Sequence, residues 1–440
     1  MKTVSNANIP LHFSERETAM DPGAERLGFE LLAQADRLAT FTEDAPRLTR
    51  TYLSAEHRAA GDYIASLMRD AGMTSAYDSL GNVVGRYEGS QPDAPVVVIG
   101  SHMDSVRNAG RYDGLFGILS GIACVAELNR QRRRLPVALE VVAFGDEEGV
   151  RFGVTLIGSK AMVGQFDPSW LGVRDAQGIS LAQALTAFGC DPQAWPAIDR
   201  RAHPPLAYLE SHIEQGPVLL NDGLPLGVVT AIAGAQRSMV TLTGLAGHAG
   251  TVPMGARQDA LAAAAEMVLA IERIAGAGSE LVATVGRMQV LPGAVNVIPQ
   301  DVSFSIDVRS GQDAIRRAAM ADIEAECDRI AARRRIALRR EPLYVADAAP
   351  CHPVLQACLA DAIAAQGLVV RRLPSGAGHD AMVFPALAPS AMLFVRCGNG
   401  GISHHPDETL SAQDAGLATC VLLDALTRVP AAFGLGGAPS

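Results

Sequence analysis

Histidines and carboxylates recur in short motifs of this chain, each placed after an apolar run or inside a glycine-rich loop. The segment GSHMD at 100–104 follows the apolar run Val96–Ile99, and GDEEG at 145–149 follows the apolar run Val137–Phe144. A histidine such as His102 can bind a metal ion while a nearby carboxylate holds its ring in place. Three consecutive carboxylates repel one another unless a cation or solvent compensates them. Taken singly, a surface strand end and a solvated acidic loop also explain these two motifs.

Four further motifs carry histidines beside glycines or carboxylates: ESHIEQGP at 210–217, GHAG at 247–250, GAGHD at 376–380 and GGISHHP at 400–406. Each histidine alone is more often structural than functional, so the combination of motifs is what indicates a site. Two carboxylates and three imidazoles at strand ends and glycine loops can bind two metal ions about 3.5–4 Å apart through one bridging carboxylate. Mixed imidazole and carboxylate ligands suit zinc, manganese or cobalt.

The elements around these motifs alternate between strands and helices. Ser54 is typical of a helix N-cap, and the pattern after it predicts a helix through about Arg69. The apolar runs at 96–99 and 137–144 predict buried strands, and residues 114–128 between them predict a helix. This alternation predicts an α/β domain with a largely parallel sheet, in which catalytic groups gather at the carboxyl ends of the strands.

The middle of the chain predicts a second unit of different topology. Its pattern reads strand, helix, strand, strand, helix, strand, at Ser238–Leu242, Gln258–Ile274, Leu281–Val290, Asp301–Val308, Gln312–Arg333 and Ile336–Tyr344. This order is the ferredoxin-like split βαβ pattern. We therefore expect an inserted ferredoxin-like α+β domain over residues 228–340, and a discontinuous catalytic domain formed by residues 1–227 and 341–440.

Composition narrows the classes of function. The 440 residues include 37 Lys and Arg against 47 Asp and Glu, for a net charge of −10, and 48% are apolar. The apolar fraction excludes wholesale disorder, and the acidic balance argues against a general nucleic-acid binder. No continuous apolar run reaches the roughly 18–20 residues of a membrane span. We expect a protein without nucleic-acid or membrane partners.

Cysteine usage and the N-terminus bear on the cellular compartment. Seven cysteines are scattered along the chain without a C-x-x-C pair, which is typical of reduced thiols in a cytosolic enzyme. The first 17 residues are polar and lack the apolar region of a signal peptide. We therefore expect a cytoplasmic protein.

Seven ordered motifs together resemble one family, the hydantoinase/carbamoylase amidase branch of the M20 metallopeptidases. They are GSHMDSVRNAGRYDG (100–114), GDEEGVRFG (145–153), ESHIEQGPVL (210–219), AGHAGTVPMGARQDA (246–260), GAVNVIPQDVSFSIDVRS (293–310), GAGHDAM (376–382) and GISHHPDE (401–408). The group includes allantoate amidohydrolase, N-carbamoyl-L-amino acid hydrolase and β-ureidopropionase. The resemblance implies a zinc-aminopeptidase-like catalytic domain with a mixed, largely parallel sheet, plus a lid and dimerisation domain.

The resemblance also implies a ligand set for two divalent metal ions. His102 matches a terminal ligand of one metal, Asp113 matches the bridging carboxylate, and Glu148 matches a terminal ligand of the other metal. His212 and His404 match the remaining ligands, one on each metal. The expected ions are Zn²⁺ or Mn²⁺, with Co²⁺ or Ni²⁺ as further candidates.

Five more positions match residues that act on the substrate. Glu147 matches the general base that deprotonates the attacking water. His248 and Asn296, from the inserted domain, match groups that polarise the scissile carbonyl and stabilise its oxyanion. Arg309 matches the residue that binds the substrate carboxylate, and Gln215 matches a neighbouring substrate contact. Because three of these positions lie on the insert, we expect the two domains to close on the substrate.

Several positions separate the branches of the family or depart from its common pattern. Peptidase relatives usually carry an acidic residue where His212 stands, which favours the amidase branch. Ser105 replaces a usual Thr, and Arg107 stands where Pro is frequent. His405 follows His404 where Ser or Asn is common, so either imidazole could be the ligand, and we favour His404.

The resulting hypothesis is hydrolysis of the ureido C–N bond of an N-carbamoyl-type acid. Allantoate is the first candidate substrate, N-carbamoyl-L-amino acids are the second and β-ureidopropionate is the third. A dipeptidase or deacylase of the same fold and a binding protein without activity are the alternatives. The resemblance further implies a homodimer paired through the lid domain and a small ureido acid as ligand.

Overall fold

The computed structural model describes residues 22–278 and 280–435, and two main β-sheets organise them. The α-helices of this part are α1 Pro22–Ala39, α2 Ala55–Asp70, α3 Leu115–Arg130, α4 Ile157–Met162, α5 Leu181–Phe188, α6 Val218–Asp222, α7 Ala260–Gly276, α8 Asp313–Arg334, α9 Pro353–Ala365 and α10 Ala412–Ala432. The strands are β1 Thr74–Tyr77, β2 Val83–Tyr87, β3 Val96–His102, β4 Ala138–Phe144, β5 Ala207–Ile213, β6 Leu226–Ile232, β7 Gly234–Thr243, β8 Gly247–His248, β9 Leu281–Thr284, β10 Met288–Leu291, β11 Val297–Ile298, β12 Asp301–Ser310, β13 Ala337–Ala346, β14 Ala349–Pro350, β15 Arg371–Ser375 and β16 Ser390–Val395.

The larger sheet has the strand order β1-β2-β4-β3-β5-β16-β6-β14, with β15 pairing β6. Its four central strands, β4, β3, β5 and β16, run parallel, and antiparallel strands flank them. Every residue of β4, β5 and β16 is buried. A strand covered by helices on both faces has this continuous apolar character. The prediction of an α/β fold with a mixed, largely parallel sheet is confirmed.

The helices that were predicted around the first strands form close to their predicted limits. Ser54 caps α2, and its Oγ accepts a hydrogen bond of 3.0 Å from the backbone N–H of His57. That side chain satisfies one of the N–H groups that a helix start leaves without a partner. Helix α3 packs on β3, β4 and β5 and is buried along most of its length. It is therefore part of the core that supports the carboxyl ends of these strands.

The smaller sheet is antiparallel, with the order β13-β7-β12 followed by β9 and β10. Helices α7 and α8 cover one face, where Val240, Leu242, Phe304 and Val308 are buried. Burial alternates along β12 from residue to residue, as expected when one face of a sheet is packed and the other is open. The ferredoxin-like order that the sequence predicted is present.

One predicted strand of this sheet is wrong in detail. The strand expected over Leu281–Val290 is two strands, β9 and β10, and both pair with β12. Between them, the regular pairing with β12 is interrupted at Val285–Arg287, where Arg287 still forms hydrogen bonds with Ser305 of β12. Glycine at 286 weakens a strand interior, since it has no side chain to pack.

The two expected domain limits fall inside strands. The limit at 227/228 lies within β6 of the larger sheet, and the limit at 340/341 lies within β13 of the smaller sheet. The segments that connect the two sheets are residue 233 and residues 347–348. These short connections place the smaller sheet directly beside the larger one.

One described helix, α10, is long and apolar enough by length and composition to cross a membrane. It packs against α1, α3 and α9, and more than half of its most apolar window is buried. This is the position of a core helix. The N-terminal 17 residues, on which the expectation of a cytoplasmic protein partly depends, lie outside the described residues.

Candidate active site

The predicted metal ligands lie where the four parallel strands of the larger sheet end. His102 is the last residue of β3, Glu148 follows the end of β4, and His212 is the penultimate residue of β5. His404 lies in the loop after β16, and Asp113 lies between β3 and α3. Because parallel strands end at the same edge of a sheet, segments more than a hundred residues apart meet there.

Asp113 is the centre of this cluster. Its Oδ1 lies 3.2 Å from His212 Nε2 and 3.7 Å from His102 Nε2, and its Oδ2 lies 3.1 Å from His404 Nε2. Glu148 Oε1 lies 3.4 Å from the same nitrogen of His404. The ligand atoms therefore form two groups, one with both buried histidines and one with Glu148 and His404, and Asp113 belongs to both.

The orientation of the two buried histidines suits metal binding. His212 Nδ1 lies 2.8 Å from the carbonyl oxygen of Ile213, and His102 Nδ1 lies 3.1 Å from the carbonyl oxygen of Asp104. A carbonyl oxygen only accepts, so each Nδ1 carries the proton and each Nε2 keeps its lone pair for a metal ion. Both Nε2 atoms face Asp113.

Close packing around Asp113 requires glycine at the next position. Gly114 has a φ of +67°, and a Cβ there would lie 2.6 Å from the ring of His102. Glycine tolerates both the positive φ and the close approach, whereas other residues do not. The DG pair at 113–114 therefore has a structural reason within the ligand cluster.

The backbone separates the roles of the adjacent histidines 404 and 405. His404 adopts a φ of +55° and places its ring against Asp113 and Glu148. His405 is exposed to about the same degree as His404, but its Nδ1 accepts a hydrogen bond of 3.2 Å from the backbone N–H of Asp407, and among the described residues it forms no ion pair with Asp113 or Glu148. The hydrogen bond to Asp113 raises the pKa of His404 to about 9, although burial opposes it. A metal ion must displace that proton, so binding there depends on pH.

Glu147 lies on the same loop as Glu148 and lines the cavity beside the cluster. Burial raises the pKa of the Glu147 carboxyl well above its ordinary value, and the carboxylates of Glu148 and Asp380 raise it further, against the effect of His102. A carboxyl with a raised pKa can take up a proton from water and deliver it to a leaving group near neutral pH.

Asp104 holds that loop in place. Its Oδ1 accepts a hydrogen bond of 3.0 Å from the backbone N–H of Glu147, and its Oδ2 accepts one of 3.2 Å from Glu148. The sequence pattern predicted only that Asp104 supports the ring of His102, whose Nδ1 lies 3.5 Å from Oδ1. The carboxylate therefore positions the predicted base and one predicted ligand as well.

Glu408 is a site residue that the sequence analysis missed. Its Oε1 accepts hydrogen bonds from the backbone N–H groups of Tyr112 and Asp113, and its Oε2 accepts one of 2.7 Å from Ser403. It therefore ties the loop that carries Asp113 to the loop that carries His404. Its place in the motif GISHHPDE was the available signal.

A cavity of about 360 Å³ joins this centre to the smaller sheet. The part of the cavity next to the larger sheet is lined by the five predicted metal ligands, by Glu147 and by Gln215. The part next to the smaller sheet is lined by Ala235, Arg237, Arg309, Tyr344 and Ala346. Gln215 donates from Nε2 to Asp113 Oδ2 at 3.1 Å. Arg309 donates to the carbonyl oxygen of Gly376 at 2.9 Å, which connects the two sides of the cavity.

His248 and Asn296 do not reach this cavity in the structure. Both are exposed: His248 is the last residue of β8 and Asn296 directly precedes β11, which pairs with β8, and the N–H of Ala249 donates to the carbonyl oxygen of Asn296. His248 Nδ1 accepts a hydrogen bond of 3.0 Å from the N–H of Gly250. Their predicted action on the scissile carbonyl remains a prediction and requires a different arrangement of the lid.

Comparison with known proteins agrees with this geometry. The model of peptidase family M20/M25/M40 matches residues 98–428. The chain belongs to the M20 family. It is 42% identical to the N-carbamoyl-L-amino acid amidohydrolase of Geobacillus stearothermophilus, covering 85% of this chain and 91% of the relative. It is 38% identical to the allantoate deiminase of Arabidopsis thaliana, covering 95% and 86%.

Solved structures place this M20 protein in the amidase branch. It superposes with a TM-score of 0.87 on an amidase of the hydantoinase/carbamoylase family from Burkholderia multivorans, at 32% identity over 91% of this chain and 97% of the other. A PepT aminopeptidase from Bacillus cereus, at 16% identity and a TM-score of 0.64, shares the fold. The M20 chain is thus a hydrolase of linear amide C–N bonds in the hydantoinase/carbamoylase branch.

The side chains of this M20 amidase fit metal ions. The ligand set combines imidazole nitrogens with carboxylate oxygens, and the buried carboxylate of Asp113 belongs to two groups of ligand atoms that each lie within 4.8 Å of one another. Without a cation to compensate their charge, carboxylates gathered this closely at a site shielded from water are unfavourable, since burial and mutual repulsion both oppose their ionisation. A metallo-hydrolase centre explains why these groups are held together.

Proposed function

We propose that this amidase hydrolyses the ureido C–N bond of an N-carbamoyl-type acid. Allantoate is the first candidate, N-carbamoyl-L-amino acids are the second, and β-ureidopropionate is the third. The observation that carries the proposal is a single cavity lined by Arg309, by Glu147 and by the five predicted metal ligands. A small acid held by a guanidinium beside a metal centre is the substrate class that this cavity suits. Relatives named for both leading substrates support it at similar identity.

The ligand set would hold two divalent ions, since Asp113 belongs to two groups of ligand atoms, and Zn²⁺ and Mn²⁺ are the first candidates. When bound, such ions polarise a carbonyl and lower the pKa of water towards neutrality. Imidazole at His212 in place of a carboxylate lowers the negative charge of the centre. That difference supports the amidase assignment over a peptidase.

Substrate binding, proton transfer and oxyanion stabilisation are assigned to different residues of the chain. Arg309 binds the substrate carboxylate, because three of the five N–H donors of its guanidinium bond Asp307 and a backbone carbonyl oxygen, and the second N–H groups of its two terminal nitrogens remain for the substrate. Glu147 takes a proton from the attacking water and passes it to the leaving nitrogen. Burial favours the first of these steps, since it raises the pKa of Glu147 and makes its carboxylate a better proton acceptor. We expect His248 and Asn296 to donate to the oxyanion after the lid has moved.

A homodimer paired through the lid domain remains part of the proposal. The segments that carry His248 and Asn296 expose the large apolar side chains of Leu245, Met254 and Val295, and exposed apolar surface is typical of interaction sites. Light scattering of the wild-type chain and of the Val295→Glu variant tests this. A dimeric wild type and a monomeric variant are expected, and a monomeric wild type contradicts the pairing.

Ammonia release from metal-reconstituted protein tests the function. Allantoate, several N-carbamoyl-L-amino acids and β-ureidopropionate are compared in parallel, with a dipeptide and an N-acyl amino acid as outgroup substrates. Turnover of a ureido acid is expected, and Glu147→Gln should lower kcat by roughly 10²–10⁴-fold while metal binding persists. Glu341→Gln, at an exposed residue of β13, is the matched control and should keep full activity. Turnover of the dipeptide or N-acyl substrate alone would refute the proposal.

A further inference from the structure

The open face of the smaller sheet presents an ordered set of polar side chains to the cavity. In the antiparallel register Arg237 lies opposite Asp307, and Arg309 lies opposite Ala235. Side chains alternate between the faces of a strand, so these four residues share the face opposite the buried core of α7 and α8. On the other side of β7, Tyr344 lies opposite Arg237.

Asp307 is bound by both arginines. Arg309 donates to it from Nε at 3.1 Å and from Nη2 at 2.9 Å, and Arg237 donates from Nε at 3.0 Å. Although burial raises the pKa of Asp307, the hydrogen bonds and charges of the two arginines hold it below its ordinary value. The carboxylate therefore stays ionised, and the three side chains together carry one net positive charge.

The two arginines differ in how many of their guanidinium nitrogens donate hydrogen bonds to the protein. Arg309 uses Nε, Nη1 and Nη2, because Nη1 also donates to the carbonyl oxygen of Gly376. Arg237 uses Nε alone among its hydrogen bonds to described residues, and its guanidinium lies 5.2 Å from the ring centre of Tyr344. Its two terminal nitrogens remain for a ligand. Arg237 also lines a second cavity of about 470 Å³ that shares Arg309 and Gly376 with the first.

The spacing matches the size of a small substituted acid. Arg237 and Arg309 occupy diagonal positions on neighbouring strands, and such positions are about 7–8 Å apart. A substrate whose carboxylate binds Arg309 carries its α-substituent one carbon away. A substituent of three or four non-hydrogen atoms then ends beside Arg237.

We propose that Arg237 is a specificity-determining residue that donates hydrogen bonds to an acceptor oxygen at the end of the substrate's α-substituent. The preferred substrates are ureido acids whose substituent ends in an amide or urea carbonyl, as the second ureido group of allantoate does. An apolar substituent at the same place would shield the two terminal nitrogens of Arg237 from water without offering them an acceptor, which is unfavourable. This inference rests on the proposed function and names the substrate class of the same site.

Three substrates of similar size isolate the acceptor oxygen. Allantoate and N-carbamoyl-L-asparagine carry substituents that differ only by NH in place of CH₂, and both end in the same carboxamide. N-carbamoyl-L-leucine replaces that carboxamide by an isopropyl group of the same number of non-hydrogen atoms. For the wild type, kcat/KM should be at least tenfold higher with either carboxamide substrate than with the leucine derivative, because hydrogen bonds to a charged group discriminate by about tenfold to a hundredfold.

The Arg237→Met variant removes the donors and keeps a long side chain. The ratio of kcat/KM between the carboxamide substrates and the leucine derivative should fall at least tenfold, mainly through KM. Arg237→Gln, which retains a shorter donor, should give an intermediate ratio. Arg339→Met, at an exposed arginine of β13 on the same face of the sheet, is the matched control and should leave the ratio unchanged.

The outcomes separate this inference from the proposed function. Equal losses on all three substrates mean that Arg237 acts only by holding Asp307 and Arg309, which overturns the inference while ureido hydrolysis stands. A wild type that prefers the leucine derivative overturns it too. A wild type that hydrolyses none of the three substrates while metals are bound overturns the proposed function, and the inference falls with it.

Discussion

Replacing Asp104 with asparagine tests whether one buried carboxylate positions the catalytic loop. Asp104 is 1% exposed, and its two oxygens accept the backbone N–H groups of Glu147 and Glu148 at 3.0 and 3.2 Å. Asparagine has nearly the same shape, but it presents one acceptor oxygen and one donor nitrogen. In the Asp104→Asn variant one of the two backbone N–H groups therefore faces another donor.

The size of the effect follows from the lost contacts. A hydrogen bond to a charged group contributes about 1.5–3 kcal/mol, and a buried N–H left without an acceptor costs about 1–3 kcal/mol. We expect the free energy of unfolding to fall by about 2–4 kcal/mol. Loss of the group that supports the ring of His102 should weaken metal affinity by about 10–100-fold. Misplacement of Glu147 by about 1 Å should lower kcat by about 10²-fold.

Urea unfolding in the presence of a chelator measures the first quantity, and calorimetric metal titration and ammonia release measure the other two. Asp36→Asn is the matched control, since Asp36 is an exposed carboxylate that pairs with Arg111 at the surface. Its unfolding free energy should change by less than about 0.5 kcal/mol. An Asp104→Asn variant within about 1 kcal/mol of wild type, with metal affinity and kcat within twofold, would show that the loop does not depend on this carboxylate.

Two further predictions concern the histidines. In a calorimetric metal titration, His404→Ala should show one tight binding step and His405→Ala should show two, because only the ring of His404 lies against Asp113 and Glu148. Two unchanged binding steps in the His404→Ala variant would contradict the ligand set. Burial lowers the pKa of His57 to about 3, so between pH 6.5 and 3 the unfolded chain binds a proton that the folded chain does not. Stability should therefore fall with falling pH in that window by as much as about 1.4 kcal/mol per pH unit. His57→Leu should remove this share of the acid sensitivity, and unfolding free energies at pH 7 and pH 5 that change equally in both proteins would refute the assignment.

Much of the fold followed from local patterns in the sequence. Apolar runs and helix signals predicted β3, β4, α2 and α3, because burial of a strand or of one helix face imposes a short period on the residue types. The same reasoning predicted the ferredoxin-like order of the insert. It failed at Val285–Arg287, where an apolar pattern continued through a break that depends on pairing with β12.

The sequence by itself determined which residue types are present for chemistry and that they follow strand ends. Only the tertiary structure decided which of these residues come into contact with one another. Asp113 contacts imidazoles from β3, from β5 and from the loop after β16, and Glu408 accepts its backbone N–H from 295 positions away. Backbone φ turns His404 towards the metal ligands, while the register of β7 and β12 places Arg237 beside Asp307. Packing, register and dihedral angles set these contacts, and none of them has a local signature, because the free energy of each depends on residues far away in the chain.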